Sequence, residues 1–122
     1  MPVNDEPRPW WAWLFFAQLG LVILASVLAT TNHLPLNPLK QPPGDKIAHM
    51  LGYGALAFFA VAYFGPARRG RVIGALLIAA ALEELSQRAF PTRTFDLGDM
   101  AMNVVGILVL GLAAGRRRKI TA

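Results

Sequence analysis

The sequence predicts an all-α fold, an integral membrane bundle of four transmembrane helices in a single domain. Three observations predict it. The chain has 122 residues, of which 55% are hydrophobic and only 16% charged, with mean hydropathy +0.44; soluble domains of this size rarely reach that balance. Four apolar runs of near 20 residues follow one another, each about 30 Å long as a helix, one hydrocarbon thickness. Short stretches rich in proline, glycine and charge separate them. Helices are expected because isolated strands cannot satisfy their backbone in lipid.

The first helix is expected over about 10–30. Trp10, Trp11 and Trp13 stand at its start as an interfacial aromatic anchor. From Leu14 to Ala29 only Gln18 and Ser26 are polar. A cleaved signal peptide is the competing reading, since Val27-Leu28-Ala29 resembles a cleavage site. Asp5 and Glu6 set against Arg8 deny the segment a clearly positive leader, so a retained helix is expected. The second helix is expected over 45–64. Pro42, Pro43 and Gly44 break the chain before it, and Asp45 is placed to cap it. The third is expected over 71–90 and the fourth over 97–115. The linkers are then Thr31 to Gly44, Gly65 to Gly70, and Pro91 to about Asp96.

Charge orients the four spans. One side carries both termini and the loop between the second and third helices. It holds eight basic residues (Arg8, Arg68, Arg69, Arg71, Arg116, Arg117, Arg118, Lys119) and two acids, net +6. The other holds Lys40, Lys46, Arg88 and Arg93 against Asp45, Glu83, Glu84, Asp96 and Asp99, net −1. The positive-inside rule places both termini in the cytoplasm of a multi-pass protein of the cell inner (cytoplasmic) membrane. The +5 total charge is therefore read as topology and lipid-headgroup attraction, and no nucleic-acid partner is expected. The chain has no cysteine, which excludes disulfides, thiol nucleophiles and Cys-based metal sites. It also lacks a phosphate-binding Gly-rich loop and a nucleophile elbow.

Three polar stripes converge at the extracytoplasmic depth. On the second helix Lys46, His49 and Tyr53 are spaced i, i+3, i+7, with Asp45 one turn before His49 and able to accept from its ring. On the third, Glu84, Gln87 and Arg88 share a face while Glu83 points about 100° away. Residue 83 lies ~18 Å along the helix, inside the outer half of the core. A charge there costs roughly 2–3 kcal/mol unless paired, so Glu84 is expected to face inward. On the fourth, Asp96, Asp99 and Asn103 form the stripe, with Gly106 one turn on allowing close helix approach. The plain alternatives are an N-cap aspartate, a snorkelling lysine and a solvated helix end. They explain each stripe singly, but not the coincidence of depth.

These residues carry a resemblance. "DKIAHMLGYGAL" and "EELSQRAFPTRTFDLGDMAMNVVG" resemble the VanZ-like membrane proteins, over about residues 45–111 of a single domain spanning 1–122. The family-like positions are Asp45, Lys46, His49, Tyr53, Glu84, Gln87, Arg93, Asp96, Asp99, Asn103 and Gly106. The resemblance implies a cell-envelope membrane protein and a link to resistance to the glycopeptide teicoplanin, without implying a reaction. Two functions follow as expectations. In the first, the site binds or modifies a membrane lipid or lipid-linked, phosphate-bearing envelope precursor. Lys46, Arg93 and Arg88 would hold the anionic group, and Glu84 or His49 would act as base with Asp45 orienting the imidazole. Tyr53, Gln87, Asp96, Asp99 and Asn103 would line the substrate. In the second, the cluster is a structural network and the protein acts through a partner. Glu84, Asp96, Asp99 and His49 are donors a divalent cation could use, but no tight ligand spacing occurs, so no metal or other cofactor is expected. Oligomer formation is left open. A transporter ranks last, because the inner half of the helices offers no polar path.

Overall fold

In the computed structural model of the chain, which describes residues 9–31, 44–86, 89 and 97–121, every regular element is helical. Four long helices form in chain order: α1 (Pro9–Thr30), α2 (Gly44–Phe64), α3 (Arg69–Ser86) and α4 (Leu97–Thr121). Three of them, over Trp10–Ala29, Gly44–Phe64 and Leu97–Ala114, are long and apolar enough to cross a membrane. The fourth predicted span differs. α3 has 18 residues instead of twenty, with Arg69 and Arg71 at one end and Glu83 and Glu84 at the other. Between those charges lie roughly 11 apolar residues, about 16 Å of helix, half the thickness of a hydrocarbon core.

Local chemistry explains the helix ends. Gly65 sits at φ 98, a conformation that side-chain-bearing residues rarely adopt. Its N–H still donates to Val61 O (2.9 Å), and Arg68 N–H donates to Gly65 O (3.1 Å). Pro66 then opens a single 3-10 turn, Pro66–Arg68, that feeds directly into α3. The expected linker of six residues therefore shrinks to one glycine and one turn, and α3 starts two residues early. At its far end the Ser86 hydroxyl donates to Glu83 O (2.6 Å), the local capture of a carbonyl by which serine competes with helix continuation. α4 continues past the expected end at 115 because Arg116 to Lys119 are good helix formers and no proline follows Gly115.

α2 is the centre and packs against α1, α3 and α4. The polar stripe positions on α2 and α4 rise together (46 with 99, 49 with 103), so these two helices run parallel. α3 returns antiparallel between them, its Ile73 against Gly111 and Ala57. The core is a stack of small and medium residues: Leu56, Ala57, Ala60 and Val61 of α2, Ile73 and Ala80 of α3, Ile107 and Ala114 of α4. α1 lies outside this core. No residue of Trp10–Ala29 is buried, and it meets α2 through Trp11 on Phe58 and Phe59 and through Phe15 on Tyr63 and Phe64. Its remaining face presents Trp13, Phe16, Leu21, Ile23, Leu24 and Val27, all exposed. An apolar face of that size is what a helix in lipid carries.

Two glycines set the α2–α4 distance. A Cβ on Gly106 would run into the carbonyl of Met50, and one on Gly54 would meet Leu110 Cδ1 at 2.5 Å and Gly106 O at 3.1 Å. Gly106→Val should accordingly lower the thermal unfolding midpoint in detergent by the equivalent of about 1–3 kcal/mol, the usual cost of overpacking. Gly74→Ala, where nothing lies within 4 Å, should be neutral or stabilising by up to about 1 kcal/mol. Equal effects of the two changes would show that helix propensity, and not the close crossing, governs stability.

Candidate functional site

The polar groups gather at one end of the bundle, above the Gly54–Gly106 crossing. α2 begins there and delivers Asp45, Lys46 and His49 within its first two turns; α4 begins there and delivers Asp99 and Asn103. Because the helices are parallel and close, the two stripes meet side by side. Lys46 Nζ donates to Asp99 Oδ1 at 3.0 Å and lies 3.7 Å from Asp45 Oδ2. Asp45 Oδ1 accepts the backbone N–H of Lys46 at 2.9 Å, so it ties down the first turn of α2 much as a cap would. His49 stands between the two α4 residues. Its Nδ1 is 3.0 Å from Asn103 Oδ1 and its Nε2 is 3.6 Å from Asp99 Oδ2.

This arrangement corrects one expectation. Among the described residues the imidazole is hydrogen-bonded to Asn103 of α4, with Asp99 beside it, and not to Asp45. On a helix residues four apart can meet, but the Asp45 carboxylate turns back to its own first turn and to Lys46, and α4 approaches closely enough to take the ring. The role expected of Lys46 is also altered. Its ammonium is already flanked by two carboxylates, so it is not an uncommitted positive charge for an anionic headgroup.

Depth separates the members. Lys46 is the most open, with 31% of its side chain exposed, against 12% for Asp99. Asn103 and Glu84 are fully buried, and Tyr53, one turn deeper than His49 on α2, is buried as well. The Nδ2 of Asn103 has no hydrogen-bond partner among the described residues. Leaving a buried amide donor unpaired costs about 1–3 kcal/mol. Glu84 shares the inward stripe of α3 with Ile73 and Ala80. It stands eleven residues beyond Ile73, about 16 Å along the helix. Counting back along antiparallel α4 from Gly111, opposite Ile73, that height falls near Met100, between Asp99 and Asn103. The expected inward direction of Glu84 therefore holds. Gln87, Arg88, Arg93 and Asp96 lie outside the described residues.

Two contributions were not foreseen. Glu83, a quarter turn from Glu84, reaches α1, where the Ser26 hydroxyl donates to its Oε1 at 2.9 Å. Gln18 of α1 donates from Nε2 to Gly52 O of α2 at 2.9 Å. These are the only two polar residues between Leu14 and Ala29, so the signal was present in the sequence; what was lacking was the position of α1. Among the described residues, no group of three or more His, Asp and Glu side chains is placed to hold a metal ion.

No family model, no curated protein and no solved structure matches this chain. Its resemblance to the VanZ-like proteins rests on the quoted motifs alone.

The Lys46–Asp99 contact is measurable. In a double-mutant cycle with Lys46→Met and Asp99→Asn, read by thermal or denaturant unfolding in detergent, the coupling should be favourable and within about 0.5–3 kcal/mol. The lower part of that range is expected, because the ammonium is partly exposed and screened. Additive single changes would mean that the ion pair does not tie α2 to α4.

Proposed function

We propose that this chain is a small integral membrane protein of the cell envelope whose site, at the shared end of α2, α3 and α4, binds the polar head of a membrane-embedded envelope molecule. One observation carries the proposal. In a bundle whose core is mainly apolar, a histidine, a carboxylate and a fully buried amide are brought together across two helices, and the amide nitrogen has no partner among the described residues. Polar groups at such depth are costly, and they commonly mark a site. In this reading all four helices lie in the bilayer, the charged ends of α3 reaching its interfaces with help from α2 and α4. The basic end, with Arg68, Arg69, Arg71 and the Arg116–Lys119 run, faces the cytoplasm, and the polar end faces the extracytoplasmic side. Membership of the VanZ-like family belongs to the same proposal, and with it a link to glycopeptide resistance.

A second reading has its own support. Lys46 closes on Asp99 and Asp45, and Ser26 closes on Glu83. Closed pairs of this kind fix helix register, and a protein so built would act through a partner.

The two readings separate on Glu84→Gln, which keeps shape and removes charge. If the site binds a ligand, envelope lipid that co-purifies with the wild-type protein by native mass spectrometry should be lost from the variant, with the unfolding midpoint unchanged. Retained lipid with a lowered midpoint would support the structural network instead. Orientation has a separate test. A reporter fused after Ala122 should read out in the cytoplasm, and an extracytoplasmic readout would overturn the charge-based topology.

A further inference from the structure

The hydrogen bonds of His49 define what kind of group the site accepts, given that it binds a headgroup at all. Asn103 presents its side-chain oxygen, which can only accept, to Nδ1 at 3.0 Å. With the amide oxygen turned to the ring, a hydrogen bond across this contact requires the proton on Nδ1, and in that arrangement Asn103 acts as a positioning residue that selects this tautomer. In the neutral ring Nε2 is then a lone pair. It faces Asp99 Oδ2, a second acceptor, across 3.6 Å, too far for a direct hydrogen bond. Neither atom has a hydrogen-bond partner among the described residues, and neither is sealed: the side chains are 19% and 12% exposed. Two acceptors thus stand side by side at a reachable edge, with no donor between them among the described residues.

The occupant must supply donors, and the surrounding charges narrow it further. Around the gap stand Asp45, Lys46 and Tyr53 from α2, Asp99 and Asn103 from α4, and Glu84 at the same height on α3. Asp99 already holds a cation, since Lys46 Nζ lies 3.0 Å from its other oxygen. A second ammonium or a divalent ion on Oδ2 would stand a carboxylate's width from Lys46 Nζ, and that like-charge contact weighs against the pull of Asp45 and Glu84. An anion would face Oδ2 directly. A neutral hydroxyl meets neither objection. A vicinal diol serves both acceptors at once, one O–H toward Nε2 and the other toward Oδ2, with its oxygens about 2.8 Å from each.

We propose that His49 Nε2 and Asp99 Oδ2 form a receptor for a neutral vicinal diol, the chemistry of a glycerol or sugar headgroup, with Asn103 fixing the histidine tautomer that makes it so. This rests on the headgroup-binding reading above, and it adds the chemical class of the ligand.

Two measurements on the full chain in detergent micelles test it. The first needs no ligand. Nitrogen-15 spectra of histidine-labelled protein at mildly alkaline pH, assigned against His33→Gln, should show His49 as a neutral ring protonated at Nδ1. In Asn103→Leu the ring should move toward the Nε2–H form. An Nε2–H ring in the wild type, or a doubly protonated one, would overturn the proposal. The second is native mass spectrometry with defined lipids. Phosphatidylglycerol, monoglucosyl diacylglycerol, or both should be retained about tenfold over phosphatidylmethanol, which has no hydroxyl, the margin expected for one charge-assisted hydrogen bond. Which of the two is retained names the source of the diol, and Asp99→Ala should abolish the preference. Equal retention of phosphatidylmethanol, or a preference for phosphatidylethanolamine, would sink the diol assignment while leaving headgroup binding intact. Failure to retain any lipid would remove the headgroup-binding reading and the diol assignment with it.

Discussion

The close approach of α2 and α4 at Gly54 and Gly106 is the constraint on which the polar end depends. Backbone meets backbone there, with the Met50 carbonyl in the space a Gly106 side chain would need. One turn of helix is about 5.4 Å, so whatever distance is set at that crossing is nearly preserved one or two turns above it. Lys46 and Asp99, and His49 and Asn103, therefore face each other at 3.0 Å. A larger residue at the crossing would push the helices apart, and hydrogen bonds weaken steeply with such displacement. Small residues further along, Ala57 and Gly111 among them, continue the same close seam. Packing and site geometry are thus one design, and α3 completes it by laying Ile73, Ala80 and Glu84 along the groove.

The polar end is expensive. Asn103 and Glu84 are fully buried, and Asp99 nearly so. Each would be better hydrated elsewhere, and a purely structural bundle of this size could be held by apolar packing alone. The ion pair of Lys46 offsets part of the cost for Asp99, but nothing among the described residues does so for the amide nitrogen of Asn103. That imbalance supports the proposed binding role over a network closed on itself. The histidine sharpens the point. It is anchored on one side and faces an acceptor on the other, which suits a third group better than it suits a finished protein core.

α1 plays a different part. It lies against α2 without entering the core, and its attachments are aromatic contacts and two hydrogen bonds, Gln18 to Gly52 and Ser26 to Glu83. Hydrophobic attraction between helices is weak in lipid, and polar links of this type are how an outlying helix keeps its place there. Glu83 and Glu84 are neighbours in sequence with separate duties. One ties α3 to α1, and the other faces the α2–α4 groove.

Much of this was legible in the sequence, because lengths, apolar runs and helical spacing are local properties. The helical class, the near-20-residue runs of α1, α2 and α4, the stripe Lys46–His49–Tyr53, and Asp99 and Asn103 of the stripe expected over Asp96–Asp99–Asn103 follow from composition and a period of 3.6. The common height of the polar groups follows from alternating helix direction. Other features depend on the distance between helices, and no local pattern carries that. On helical spacing Asp45 was the expected partner of His49, and only the close α2–α4 crossing gives the ring to Asn103. Helical spacing turned Glu83 away from the Glu84 face, and only the placement of α1 brings Ser26 beside it. The sequence by itself determined which residues are polar, on which face and at what height. The tertiary structure alone decided which of them touch, because hydrogen bonds and ion pairs are short-ranged and a shift of one or two ångströms between helices makes or breaks them.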